Sequence, residues 1–327
     1  MDVPQTIAQR RELTESRLSL LVNDLAEAGA QEIASGRACV YATGSLGRGE
    51  MSERSDLDIF ILRDRSLPSP LTNLDEIRLK ARLIEVCRKE HYPDFSGDGE
   101  YVHAHDIKND LIGKLGTRED DYANVFTARL LLLLESRSIL GEEIYGLAVD
   151  SVIAEYWRDY PRNSRCFLPV FLINDILRFW KTLCLNYEER TGGSPIGRRR
   201  LYNYKLKHSR LLTCYSGVIY LQSVLDRDGG TVSPEAALQM VSSSPTRRLE
   251  HVARSRVDLT DHVQQILERY SVFLDTCDAD KSELESRFSE AGFKNARFAE
   301  AKEFGDRVFS LLHAIGEGTE LFRYLAI

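Results

Sequence analysis

Two carboxylates, Asp56 and Asp58, flank Leu57 just before the apolar run Ile59-Phe60-Ile61-Leu62. A gap of ten residues separates Asp56 from the pair Gly44-Ser45, which opens the stretch Gly44-Ser45-Leu46-Gly47-Arg48-Gly49-Glu50. Side chains of an extended chain alternate faces, so Asp56 and Asp58 point the same way. Like charges so placed repel unless a cation lies between them. Mg²⁺ suits that place, because it takes hard oxygen ligands and usually binds substrate phosphates as well. Glycines let a backbone approach phosphates closely, and successive N–H groups in a turn form an anion nest. Arg48 would add a charge-assisted contact to a phosphate, or else a salt bridge to Glu50 or Glu53. The layout is that of a site for a triphosphate and its metal ions.

The elements that must hold these residues are short strands. Ala38–Thr43 leads into the turn, and Asp56–Leu62 reads as a second, buried strand. A third, Glu100–Asp106, follows the breaker-rich stretch Pro93–Gly99. Glu100 and Asp106 have the same parity, so alternation does not choose between them as a third acid. His103 and His105 on this strand read as its wet face rather than as a phosphohydrolase site, since no second His-Asp pair follows Asp106.

The text Gly-Ser-x-Gly-Arg-Gly-Glu, followed by Ser55-Asp56-x-Asp58, resembles the signature of the DNA polymerase β-type nucleotidyltransferase superfamily. It is most similar to the nucleotidyltransferase domain of the PII-protein uridylyltransferases and their relatives. The resemblance covers Arg37 to Ile107, about a fifth of the chain. It implies a small mixed sheet flanked by helices, a Gly44-Ser45 grip on the triphosphate, and three carboxylates holding two metal ions, Mg²⁺ or Mn²⁺. Related minimal nucleotidyltransferases place the third acid at the head of the third strand, with an apolar residue seven positions later. Glu100 and Ile107 match that pattern, although most of the superfamily has Asp there. The implied reaction moves a nucleoside monophosphate from a nucleoside triphosphate such as ATP to a hydroxyl of a protein, an RNA or another nucleotide. Cyclic-oligonucleotide synthases of bacterial defence share the fold and are the alternative among enzymes. A non-catalytic nucleotide sensor or antitoxin module is the alternative outside them.

Composition sets the frame. The chain has 327 residues, 43% hydrophobic and 28% charged, as in ordinary globular proteins. The apolar run Leu130–Leu134 is far too short to span a membrane. The polar N-terminus has no signal-peptide core, so a cytoplasmic location is expected. Six scattered cysteines, none in a Cys-x-x-Cys pair, point to free thiols rather than to a disulfide framework or a zinc site. A net charge of −7 argues against a general DNA-binding surface. The charge is uneven: Arg162–Arg210 carries eleven basic residues against Asp175, Glu188 and Glu189, a net of +8.

The organisation expected is α+β: a core at residues 1–116, with an N-terminal helix over Gln5–Ile33, and an α-helical lobe at residues 117–327. No convincing strand pattern follows Ile107. In the lobe, Phe167–Tyr187 is apolar nearly all round and reads as a buried helix. Asn174, Arg178 and Lys181 recur on one stripe of it, as would suit a polar cleft, or an anchoring pair between Asp175 and Arg178. A single helix is expected over Arg198–Leu225. Polymerase β-type enzymes often hold the β- and γ-phosphates with a lysine of the helical lobe, which makes Lys205 and Lys207 the candidates by resemblance. Arg178 and Lys181 join them as expected triphosphate contacts.

Overall fold

The structure, a computed structural model, describes residues 1–93, 95, 103–120 and 124–326. The fold is α+β, a small mixed sheet with many helices. The chain forms two compact units, one of residues 10–158 and one of residues 1–9 with 159–327.

The first unit is built on a four-stranded sheet of β1 (Ala38–Ala42), β2 (Ile59–Arg63), β3 (Ala104–Asp106) and β4 (Arg137–Leu140), in spatial order β3-β2-β1-β4. β1 is antiparallel to β2 and to β4, whereas β2 and β3 are parallel, with Ile61 beside Ala104 and Arg63 beside Asp106. Every residue of β1 and β2 is buried because helices cover both faces. On one face Ala38, Val40, Ala42, Ile59 and Ile61 pack with Leu21 and Leu25 of α1 (Gln5–Glu27), Ile33 of α2 (Ala30–Ala34), and Leu79, Leu83 and Val86 of α4 (Asn73–Lys89). The short α3 (Gly44–Arg48) lies between β1 and β2 in the chain. On the other face Tyr41 stacks on Phe60 at 5.4 Å between ring centroids. Its hydroxyl donates to the Ala128 carbonyl of α5 (Val125–Leu134) at 3.0 Å. α6 (Glu142–Tyr156) packs on the same sheet, so residues up to Arg158 belong to this unit.

Three expectations change here. The N-terminal helix stops at Glu27 and resumes as α2, because the chain turns at Ala28-Gly29. β2 begins at Ile59, so Asp56 and Asp58 lie in the extended lead-in rather than inside the strand. A fourth strand does follow Ile107: β4 occupies an edge, where only Ile139 and Leu140 are fully buried and Arg137 and Ser138 are not, which erases the apolar pattern.

The second unit is helical: α7 (Tyr160–Asn163), α8 (Val170–Thr191), α9 (Ile196–Lys205), α10 (Leu211–Arg227), α11 (Pro234–Val241), α12 (Pro245–Ser255), α13 (Thr260–Thr276), α14 (Lys281–Ser289), α15 (Ala291–Gly316) and α16 (Glu320–Ala326). α10 is buried from Leu212 to Cys214 and from Ser216 to Leu225, and it packs against α8, α12 and α15. The helix expected over Arg198–Leu225 is not uniform: a π-helical turn, Leu206–Arg210, joins α9 to α10. α8 departs from the expectation of burial on most sides. Phe171 and Leu185 are 63% and 70% exposed, and they extend the exposed stripe that carries Asn174 and Lys181. Arg178 on that stripe pairs with Asp175 at 3.6 Å. The six cysteines are free thiols, with Cys39, Cys87 and Cys214 buried. Among the described residues no helix is long and apolar enough to cross a membrane.

The π turn places His208 inside an aromatic stack, between Phe273 at 4.6 Å and Phe304 at 4.9 Å. Its Nδ1–H donates to the Tyr204 carbonyl at 2.9 Å, and burial, aided by the Lys207 charge, pushes its pKa down to about 4. An unfolded histidine titrates near 6.5, so between pH 6.5 and about 4 the unfolded chain binds the extra proton and stability falls as the pH is lowered. Over that window the loss reaches about 3 kcal/mol for this residue. His105 in the other unit shifts in the same direction and for the same first reason, burial. His208→Phe is therefore expected to flatten the fall of unfolding free energy between pH 6.5 and 4.5, measured by urea titration. An unchanged pH slope would show that His208 is already charged in the folded state.

Candidate active site

The Gly-Ser turn leaves β1 at Thr43 and winds into the single turn of α3. Antiparallel pairing runs one residue past the strands, since the Thr43 N–H donates to the Asp58 carbonyl at 2.8 Å. That bond sets Asp58 beside the start of the turn. Gly44 follows with φ 64°, and a Cβ there would lie 2.6 Å from Asp58 Oδ2. Both the left-handed backbone and the carboxylate packed against Cα require glycine at this position. The Ser45 hydroxyl is screened from solvent and has no hydrogen-bond partner among the described residues. Leaving a hydroxyl so costs free energy unless a ligand satisfies it.

Asp56, Leu57 and Asp58 run exposed, buried and half-buried. Leu57 enters the core under the sheet, so the alternation expected of two acids on one side is kept although the strand itself starts later. Arg48 turns to acids of the protein: its Nε donates to Glu50 Oε2 at 2.7 Å and its Nη1 to Glu135 Oε2 at 2.9 Å. Of the two salt bridges open to Arg48 from the sequence, the one to Glu50 forms. The other partner, Glu135, was not visible in the sequence as part of the site. It follows the apolar run Leu130–Leu134 and reaches a turn 91 residues away, a distance at which no spacing rule operates.

Asp106 has a different occupation. Its Oδ1 accepts from the Asn109 N–H at 2.7 Å and its Oδ2 from the Arg65 N–H at 3.0 Å, closing the turn after β3. It pairs with Arg63, five residues beyond Asp58 along β2, roughly 16 Å at the rise of a strand. Glu100 lies outside the described residues. Because β3 runs parallel to β2, its N-terminal end at Ala104 lies toward the Asp58 end of that strand.

The remaining expected contacts, Arg178, Lys181, Lys205 and Lys207, belong to the helical unit. Lys181, Lys205 and Lys207 are exposed, and the Lys207 ammonium sits 5.2 Å from the centre of the Phe298 ring.

Two hard carboxylates on one side of the lead-in, one of them against a glycine backbone, form a donor set suited to Mg²⁺. Among the described residues no cluster of three His, Cys, Asp or Glu side chains could hold a metal ion. No curated protein and no solved structure matches the chain. A family model does match part of it, described as the nucleotidyltransferase domain and covering residues 26–125. The stretch that carries the Gly-Ser turn and both aspartates is thus the part of the chain that is similar to nucleotidyltransferase domains of the polymerase β-like superfamily.

Proposed function

We propose that this protein transfers a nucleoside monophosphate from a nucleoside triphosphate to an acceptor hydroxyl, with Asp56, Asp58 and Glu100 as the metal-holding acids. The observation that carries the reading is the solvent-screened, unpartnered Ser45 hydroxyl in the turn beside the Asp58 carboxylate. A phosphate oxygen that reached this hydroxyl would satisfy it, and the acids supply the negative counterpart that divalent ions require. Asp106 is spoken for by two backbone amides, which favours Glu100 as the third acid. When bound, Mg²⁺ neutralises phosphate charge and activates the attacking and leaving oxygens. Arg48, held between two carboxylates, supports the turn. The resemblance of Gly47-Arg48-Gly49-Glu50 to the uridylyltransferase branch makes UTP a first substrate to test beside ATP.

The experiment incubates the pure protein with each α-labelled nucleoside triphosphate and Mg²⁺ or Mn²⁺, offering the protein itself, RNA and free nucleotides as acceptors. Labelled product with pyrophosphate release supports the reading. Nucleotide binding that needs neither metal nor Asp58, with no transfer, overturns it in favour of a non-catalytic binding module.

The exposed bases of the helical unit are proposed to contribute to triphosphate affinity, on the strength of the resemblance and of the net +8 of Arg162–Arg210. Loss of one charged hydrogen bond costs about 1.5–3 kcal/mol. Lys205→Ala, Lys207→Ala and Arg178→Ala are each expected to weaken binding more for the triphosphate than for the monophosphate, as read by calorimetry. Equal losses for both ligands, or none, would assign these residues to surface pairs such as Arg178 with Asp175.

A further inference from the structure

Glu135 stands ten positions beyond the matched domain, yet it touches both ends of the Gly-Ser turn. Its Oε1 accepts from the Gly44 N–H at 3.3 Å, and its Oε2 accepts from Arg48 at 2.9 Å. Its own carbonyl oxygen lies where a Cβ on Gly47 would come within 1.9 Å. Its side chain is fully buried, where a carboxylate is stable only if bonded. One residue thus contacts the first, fourth and fifth positions of a five-residue turn. The Gly44 amide is directed to Glu135 rather than into the anion nest expected from the glycines, and the neighbouring Ser45 hydroxyl has no hydrogen-bond partner among the described residues.

We propose that Glu135 is a positioning residue of the nucleotide site. It fixes Gly44 and Arg48 so that the Ser45 hydroxyl and the Asp58 carboxylate are held in a set relation for a triphosphate and its metal. The inference rests on the nucleotidyl-transfer reading for its functional meaning, though not for the wiring itself. α5 and the residue that ends it therefore serve the turn as well as the sheet.

Glu135→Gln keeps the shape and one acceptor oxygen, but its amide nitrogen cannot accept, so one of the two bonds is lost. Expected are at least tenfold faster amide exchange in peptides covering residues 43–49, a Tm within a few degrees of wild type, and a kcat/KM for the triphosphate lowered by roughly tenfold or more. The effect of Ser45→Ala should shrink severalfold in the Glu135→Gln background, because the hydroxyl is then no longer held in place. A merely structural role would lower Tm and leave the two substitutions additive. Unchanged exchange in the turn, or strict additivity in an active enzyme, overturns the proposal. Should wild type transfer no nucleotide, the nucleotidyl-transfer reading fails, and the exchange measurement still decides whether Glu135 holds the turn. If Glu135→Gln does not fold, Arg48→Lys tests the same wiring, since it keeps the charge and loses the guanidinium fork; it should give the same exchange and coupling pattern.

Discussion

Asp58→Asn is expected to lower nucleotidyl transfer by about a thousandfold or more while leaving the fold in place, because metal-ion catalysis supplies several kcal/mol of transition-state stabilisation. The substitution is nearly isosteric, so the packing of this side chain against Gly44 is preserved. The backbone bond from Thr43 to the Asp58 carbonyl, at 2.8 Å, does not involve the side chain, and β1–β2 pairing should persist. What changes is the charge. An amide is a far weaker ligand for Mg²⁺ than a carboxylate, and the site would lose half of the pair that the sequence spacing sets on one side. Asp56→Asn should act likewise, and because Asp56 is exposed its effect on stability should be smaller still. The measurements are initial rates with labelled triphosphate and a thermal melt of each variant. Activity within tenfold of wild type for Asp58→Asn would remove this residue from the metal set and with it the two-metal reading.

The legible part of the site is the part whose chemistry is local. Gly44, Ser45, Asp56 and Asp58 lie within fifteen consecutive positions, and their types are dictated by what phosphates and cations require. Glu135 was invisible because its role depends on a contact across 91 residues. Arg48 illustrates the intermediate case: its type suggested either a phosphate or a carboxylate partner, and only the burial of Glu50 and Glu135 around it draws the distinction. The strands of the core were readable because helices cover both faces and leave continuous apolar runs. β4 was not, since an edge strand with two half-buried polar residues carries no such run. The boundary expected at residue 116 follows the last strand that the sequence makes legible. It does not reveal that α5, β4 and α6 pack back onto the sheet, which carries the compact unit to Arg158. α8 misled in the opposite sense: apolar residues at Phe171 and Leu185 suggested burial, but they point outward with the charged stripe.

The helix that delivers Glu135 depends on a buried ion pair, and breaking that pair should have the largest effect on stability in this unit. Asp120 and Arg129 are both fully buried, joined by two bonds of 2.7 and 2.6 Å. Arg129 also donates to the Leu111 carbonyl and to the Tyr156 hydroxyl, each at 3.2 Å, so α5 is tied to the turn after β3 and to α6. Burial alone would lower the Arg129 pKa, but the Asp120 carboxylate outweighs it and the guanidinium is held more firmly charged than usual. Asp120→Ala would leave that charge buried and uncompensated, at a cost of about 3–5 kcal/mol. For a protein of this size each kcal/mol corresponds to roughly 2–4 °C, so a fall in Tm of about 10 °C is expected. The cost comes from the stranded charge rather than from the loss of an attractive pair. The double substitution Asp120→Ala with Arg129→Met should therefore be more stable than Asp120→Ala alone. Glu155→Ala, which breaks the exposed pair to Arg158 at 3.2 Å, serves as the contrast and should cost less than about 1 kcal/mol. Chemical denaturation of the four proteins checks the order. A double variant as unstable as Asp120→Ala, or an Asp120→Ala protein as stable as Glu155→Ala, would mean that water or another group satisfies Arg129 and that α5 is anchored by its apolar face instead.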